Sequence, residues 1–219
     1  MEINQKDIES AFYSDGYQLG MQVCAANLAP EAMMAAISEM YDSIDSFIVY
    51  LTEFAQNQNQ AIHCAKGCEW CCHQPVFALN YEMDYLNDFI KRNFDKETQQ
   101  EIKTRAENKN DKLSFLTEVD LLNAKFPCPL LENGACLAYS ARPMACRIYL
   151  SSDVNSCLRF FKNPGGKTSI PALLNLPLRS GKMMNEGFKA SLKTHGYETK
   201  EYRIEEKLVD PGTRTFPSP

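Results

Sequence analysis

Apolar residues recur at steps of three and four from Met33 through Ile37, Met40, Tyr41, Ile44, Phe47 and Leu51 to Phe54, with Ser, Glu, Asp and Gln on the remaining positions. That spacing predicts one long amphipathic helix over residues 30–60, opened by Pro30 where a missing N–H costs little. The stripe reads first as a core-facing seam. A homodimer or other protein partner along helix 30–60 is the second reading, because coiled coils usually run over more heptads. A preceding helix over 5–27 carries Ala11, Phe12, Tyr17, Leu19, Met21, Val23 and Cys24, with Gly16 and Gly20 as weak points in its continuity.

Beyond residue 73 the pattern shortens. Gln74 to Leu79 reads as extended. Asn80 suits the N-cap of a helix over 81–94, with Glu82 and Asp84 favouring the dipole of its first turn. Asp95 precedes a polar helix over 96–109, rich in Glu, Lys and Gln, which reads as a solvated arm; a further short helix covers 114–123. Glu132-Asn133-Gly134 is a turn signal between Cys128–Leu131 and Ala135–Tyr139, predicting one small hairpin with Cys128 and Cys136 on its two arms. A short helix with Pro143 in its first turn carries Cys146. Loop follows through Gly166, then a helix over 179–194 that stops at Gly196. The tail, with Pro211, Gly212, Pro217 and Pro219, reads as extended. The expected fold is mainly α, with helices packed around a small cysteine-rich metal centre and one short β-hairpin. A helical pair (1–60), a cysteine-cluster region (61–165) and a C-terminal helix with its tail (166–219) would together form one globular domain.

Composition narrows the function. Apolar residues make up 44% of the 219, the net charge is −5, and no Lys/Arg run forms a basic stripe, which argues against nucleic acid as a partner. No run approaches the roughly 18 apolar residues of a membrane span. The acidic, polar N-terminal stretch does not read as a secretory signal, so a cytoplasmic protein with reduced thiols is expected.

Nine cysteines then dominate the picture. Cys64, Cys68, Cys71 and Cys72 fall within nine residues, and Cys128, Cys136, Cys146 and Cys157 follow; Cys24 stands apart as a buried helix residue. Ordinary packing has no reason to cluster thiols, whereas zinc and iron–sulfur centres do. Ligands two or three residues apart reach one ion from a single turn of chain, and distant ligands tie a second segment to it. The eight thiols could serve two four-thiolate sites, one polynuclear site, or one four-ligand site with spare thiols. Vicinal Cys71 and Cys72 are expected to diverge, so that one ligates while the other packs or serves a second ion. His63 and His73 flank the cluster in supporting positions.

The pattern Cys64-x3-Cys68-x2-Cys71-Cys72, followed by Cys128-Pro129, Cys136, Tyr139, Arg142-Pro143 and Cys146-Arg147, resembles the YkgJ-type cysteine cluster family, with its CxxCxxCC signature. The first gap here is three residues rather than two. The resemblance covers roughly residues 60–160 and implies chelation of zinc or iron, an iron–sulfur cluster included, by the bipartite set Cys64–Cys72 plus Cys128–Cys157. Around it, Arg142 and Arg147 would offset thiolate charge and Tyr139 would pack over the site. Flagellin lysine methylases share a similar motif and are associated with an iron–sulfur cluster. The alternative is therefore an iron–sulfur enzyme of radical S-adenosylmethionine or methyl-transfer type, with Cys64, Cys68 and Cys71 as cluster ligands. The strand–helix alternation of a β/α barrel does not follow that motif here. A redox pair at Cys68-x2-Cys71 lacks its βαβ frame, and Gly165-Gly166-Lys167-Thr168 reads as a turn because the first glycine of a phosphate loop is missing.

Overall fold

A computed structural model describes residues 4–58, 62–65, 67–166 and 169–212. The chain is mainly α, as its periodicity predicts. Helix α1 (Gln5–Ala25) is capped by the Asn4 side chain, which accepts from the Asp7 N–H at 3.1 Å. Helix α2 (Pro30–Asn57) follows a tight connection in which Asn27 and Leu28 both take positive φ. The expected stripe is buried at Met33, Ile37, Met40, Tyr41 and Ile44, but Phe54 is 54% exposed. The first half of α2 is therefore core and the second half projects. Asn59 and Gln60, at the expected end of this helix, lie outside the described residues.

The main neighbour of α1 is α8 (Asn175–Thr194), not α2. Gly16 and Gly20 leave α1 unbroken and instead make this contact possible. A Cβ at Gly16 would lie 2.0 Å from the Met184 carbonyl oxygen, and one at Gly187 would lie 2.0 Å from that of Tyr13. Backbone packs on backbone, and only glycine fits on both sides.

Strand β1 (Phe77–Leu79) leads into α3 (Asn80–Asn93). Asn80 is inside the helix rather than at its N-cap. Its side chain holds the C-terminal chain instead, accepting from Lys200 N–H at 3.2 Å and donating to the Glu198 carbonyl at 3.0 Å. The cap is supplied by Glu82, whose carboxylate accepts from the Leu79 N–H at 3.1 Å. Helix α4 (Lys96–Leu113) starts from the predicted Asp95 cap but is no solvated arm: Ile102, Ala106, Lys109 and Leu113 are buried. The short α5 (Glu118–Asn123) follows.

The predicted hairpin is present as β2 (Leu131–Glu132) and β3 (Ala135–Cys136), antiparallel, with Leu131 opposite Cys136. Cys128 falls just before the first arm. Pro143 occupies the N-cap of α6 (Met144–Arg147) rather than its first turn. Three elements depart from expectation. Residues expected as loop contain α7 (Val154–Lys162), capped by Asp153, which accepts from the Asn155 N–H at 2.9 Å. Part of the expected extended tail is ordered as β4 (Glu201–Arg203), paired antiparallel with β1, and α9 (Ile204–Val209). The buried face that α4 was not expected to have is covered by α9. There Glu205, fully buried, pairs with Lys109 at 3.5 Å and with Arg203 at 3.3 Å. Lys167, Thr168, Pro217 and Pro219 lie outside the described residues.

Two apolar cores result. One joins α1, α2 and α8 with Leu79 and Tyr81, and takes Met144 and Ile148 from the α6 segment. The other joins α3, α4 and α9, and Cys128, Cys136 and Cys146 pack against it. The four-residue α6 therefore sits on the seam, with its apolar residues facing one core and Cys146 facing the other.

Gly187→Ala should lower unfolding free energy by about 1–3 kcal/mol, because an added methyl drives α8 off the α1 backbone. The check is the midpoint of urea denaturation, with its slope unchanged. Gly165→Ala, in open space, should stay within about 0.5 kcal/mol of the native chain.

Candidate metal centre

Seven of the eight clustered cysteines line one cavity of about 300 Å³. Cys64, Cys68, Cys71 and Cys72 come from the segment after α2 and from the 3-10 turn Trp70–His73. Cys128 comes from the segment just before the hairpin, Cys136 from β3 and Cys146 from α6. The two halves, more than fifty residues apart, are joined through the backbone: the Cys128 N–H donates to the Cys72 carbonyl at 2.7 Å. On the first half, the Cys64 thiol lies 3.9 Å from the Tyr149 carbonyl, just beyond α6. Cys157 does not line the cavity. It is buried on α7, near enough to Cys64 and Cys68 that its charge would raise both of their thiols. Cys24 lies elsewhere, on α1, 3.8 Å from the Ser191 carbonyl.

Sulfur dominates the donors around this space. Among the described residues, no three Cys, His, Asp or Glu side chains converge to the range of a single ion's ligand shell. The thiols are distributed over the cavity wall. Val76, Phe77, Leu130, Leu150 and Ile204 make up much of the rest of it, and Tyr139, Tyr149, Gln74 and Arg142 are its other polar groups.

That apolar surround disfavours the thiolate form of Cys64, Cys68, Cys128, Cys136 and Cys146. Burial pushes Cys128 up to about 11, against the opposing pull of Lys109. Burial, reinforced by Cys128, Cys71 and Cys136, holds Cys146 well above the usual thiol range. Cys71 is raised first by a hydrogen bond with the Cys72 thiol and then by burial. Both members of the vicinal pair stand in the 3-10 turn and line the same cavity.

The two arginines differ. Arg142 lines the cavity, stacks on the Tyr139 ring at 3.7 Å, and lowers the thiols of Cys71, Cys136 and Cys146 by its charge. Arg147 follows Cys146 in sequence but points away from the thiols. It is 1% exposed, pairs with Asp45, and donates to the carbonyls of Ser140 and Arg142. Its guanidinium lies 4.0 Å from the centre of the Tyr41 ring. Because α6 is helical, successive side chains diverge, so Cys146 and Arg147 cannot face the same space. His63 and His73 do not line the cavity; the His73 ring packs edge-on against Phe161 of α7 at 4.9 Å. Trp70 meets the same phenylalanine at 5.3 Å.

Sequence reasoning missed Tyr149, Phe77 and Ile204 on the cavity wall, and the buried Tyr41 and Glu82 and the partly exposed Asp45 behind it. A faint signal existed for Asp45, which stands four residues after Tyr41 on α2. Nothing marked Ile204, which reaches the site only because the tail folds back as β4 and α9.

The fold and cavity define a helical domain built around a bipartite thiol cluster. Residues 63–165, just under half of the chain, match the CxxCxxCC family model, described as "Putative zinc- or iron-chelating domain". No curated protein and no solved structure matches the chain. Among the described residues, no helix is long and apolar enough to cross a membrane.

The raised thiols set the sign of a pH effect. The Cys128 folded value, about 11, lies above its ordinary value of 9.0, so the protonated form is favoured by folding. Its contribution is fully present below pH 9 and is lost as pH rises through about 11. Metal-free, reduced protein should therefore lose stability steadily across that window in denaturant titrations, and Cys128→Ser should flatten the slope.

Proposed function

We propose that this chain is a metal–thiolate protein that holds zinc or iron through Cys64, Cys68, Cys71 and Cys72 together with Cys128, Cys136 and Cys146. Cys157 stands behind the first group as a reserve or supporting thiol. The observation that carries this reading is the convergence of seven thiols, from two segments far apart in sequence, on one cavity. An all-sulfur set suits zinc and iron–sulfur centres rather than hard cations such as magnesium or calcium. Arg142 would offset part of the negative charge that several thiolates bring into an apolar space, with Tyr139 holding its guanidinium flat.

The number of thiols and the size of the cavity favour a multinuclear centre over a lone ion. One tetrahedral zinc uses four thiolates at about 2.3 Å and needs no cavity of its own. A metal–sulfur cluster takes four protein thiolates around a core several atoms wide, which is closer to what this space offers. The enzyme reading, with Cys64, Cys68 and Cys71 holding an iron–sulfur cluster for S-adenosylmethionine or methyl-transfer chemistry, draws support from the apolar wall of the same cavity, where an organic group would have room. The helical architecture is unlike the β/α barrel expected of the radical enzymes, so chelation is the preferred reading.

Loading must displace protons, because ligating thiols have to ionise. Affinity should fall as pH falls, with protons released on metal addition at constant pH. Protein purified without oxygen should carry stoichiometric zinc or iron by elemental analysis. A brown solution with visible absorption identifies an iron–sulfur cluster, and a colourless zinc-loaded one identifies the other branch. The Cys64→Ser, Cys146→Ser double variant should lose the metal and melt at lower temperature. Full metal retention with an unchanged melt would overturn the proposal.

A further inference from the structure

Glu82 is the most heavily used buried side chain next to the thiol cavity. It is 2% exposed and belongs to α3, yet it serves four elements. One carboxylate oxygen accepts from the Leu79 N–H at 3.1 Å, at the corner between β1 and α3. The other accepts from the Met144 N–H at 2.7 Å, the first residue of α6. The Tyr41 hydroxyl of α2 also donates to this second oxygen at 3.0 Å, and the Asn185 amide of α8 donates to the first at 3.4 Å. The α6 end of this arrangement matters for the site. That helix has four residues, too few to hold itself together, and Cys146 is its third. Met144 and Cys146 are two residues apart on so short an element, so fixing the first N–H fixes where the thiol points. The other end of α6 is tied by Arg147 to Asp45 of α2 and to the carbonyls of Ser140 and Arg142.

We infer that Glu82 is a positioning residue for metal binding: by holding the Met144 N–H it aims the Cys146 thiol into the cavity. This inference rests on the metal–thiolate reading, but it predicts a separate behaviour of the metal-free chain. Without the carboxylate, α6 keeps its apolar anchors, Met144 and Ile148, and loses the bond that sets its rotation. Glu82→Gln replaces one of the two acceptor oxygens by an NH2 donor and so loosens the hold on α6, whereas Glu82→Leu removes all acceptors and leaves the Met144 and Leu79 N–H groups buried without a partner.

The test uses cobalt(II) as a spectroscopic probe of thiolate ligation, together with alkylation of the metal-free protein read by mass spectrometry. Glu82→Leu should lower the sulfur-to-cobalt charge-transfer intensity to that of Cys146→Ser, and combining the two should add no further loss. In the metal-free chain, Cys146 should alkylate at least several-fold faster in Glu82→Gln than in the native protein, while Cys64 is unchanged. Tyr81→Phe is the control for general loosening, since Tyr81 bonds Asn185 but not α6. Equal acceleration of Cys146 and Cys64, or of Cys146 in Tyr81→Phe, would reduce Glu82 to a structural role and overturn the inference. So would a purely additive double variant. If Glu82→Leu fails to fold, the Glu82→Gln alkylation pattern decides alone. If the native chain takes up no cobalt, the metal reading fails, and the alkylation pattern still confirms or refutes the positioning of Cys146.

Discussion

One buried carboxylate sets the relation between the helices and the thiols. Glu82 stands where β1 ends, α3 begins, α6 begins and α8 passes, and it accepts hydrogen bonds from Leu79 of β1, Met144 of α6, Asn185 of α8 and Tyr41 of α2. Burial pushes its carboxyl above the usual carboxylate range while those donors pull the other way. An isolated buried carboxylate would be strongly unfavourable; one that is fully bonded becomes a fixed point. Tyr41 links it onward to Arg147 through its ring, and Arg147 links to Asp45. A continuous polar chain therefore runs from α8 to α2 behind the wall of the cavity, where an all-apolar filling would have left α6 free to rotate.

The thiol-lined half of the molecule was more legible than its support. Cysteine is rare and chemically conspicuous, so four in nine residues and four downstream announce a site whatever fold surrounds them. Seven of those eight line the cavity, and Arg142 and Tyr139 line it with them. Arg147 does not, because adjacency in sequence is not adjacency in space on a helix. The buried partners are ordinary residues in ordinary patterns. Glu82 in a first turn reads as a dipole effect and Asp45 as a solvated face; only the meeting of α2, α3, α6 and α8 turns them into a network.

The long stripe of α2 and the turn of the small hairpin are legible in the sequence, whereas α7 is not. Helix α2 declares itself by its stripe. Helix α7 has an Asp153 cap and apolar positions at Val154, Cys157, Leu158 and Phe161, the spacing of a helical face, but it spans nine residues between turn-forming segments and reads as loop. The tail and α4 were misread together. Each has a face that makes sense only against the other, with Lys109 in α4 buried because Glu205 arrives from α9. A polar helix with one buried lysine looks solvated until its partner is known.

The position of α6 between two cores gives the thiol cluster a structural consequence. Met144 and Ile148 are part of the α1–α2–α8 core, while Cys128, Cys136 and Cys146 pack against the α3–α4–α9 core. A ligand bound by Cys146 and by the hairpin thiols would bridge the two, and the Cys128 N–H to Cys72 carbonyl bond would carry that bridge to the first cysteine segment. Removing protons from thiols held high by burial costs free energy, and metal–sulfur bonds must offset it before any net stabilisation appears. On the proposed metal–thiolate reading, the apolar cavity would act as a filter: only a cation that binds sulfur strongly would gain enough to ionise these thiols, and a weakly thiophilic one would leave them protonated and the two cores unbridged.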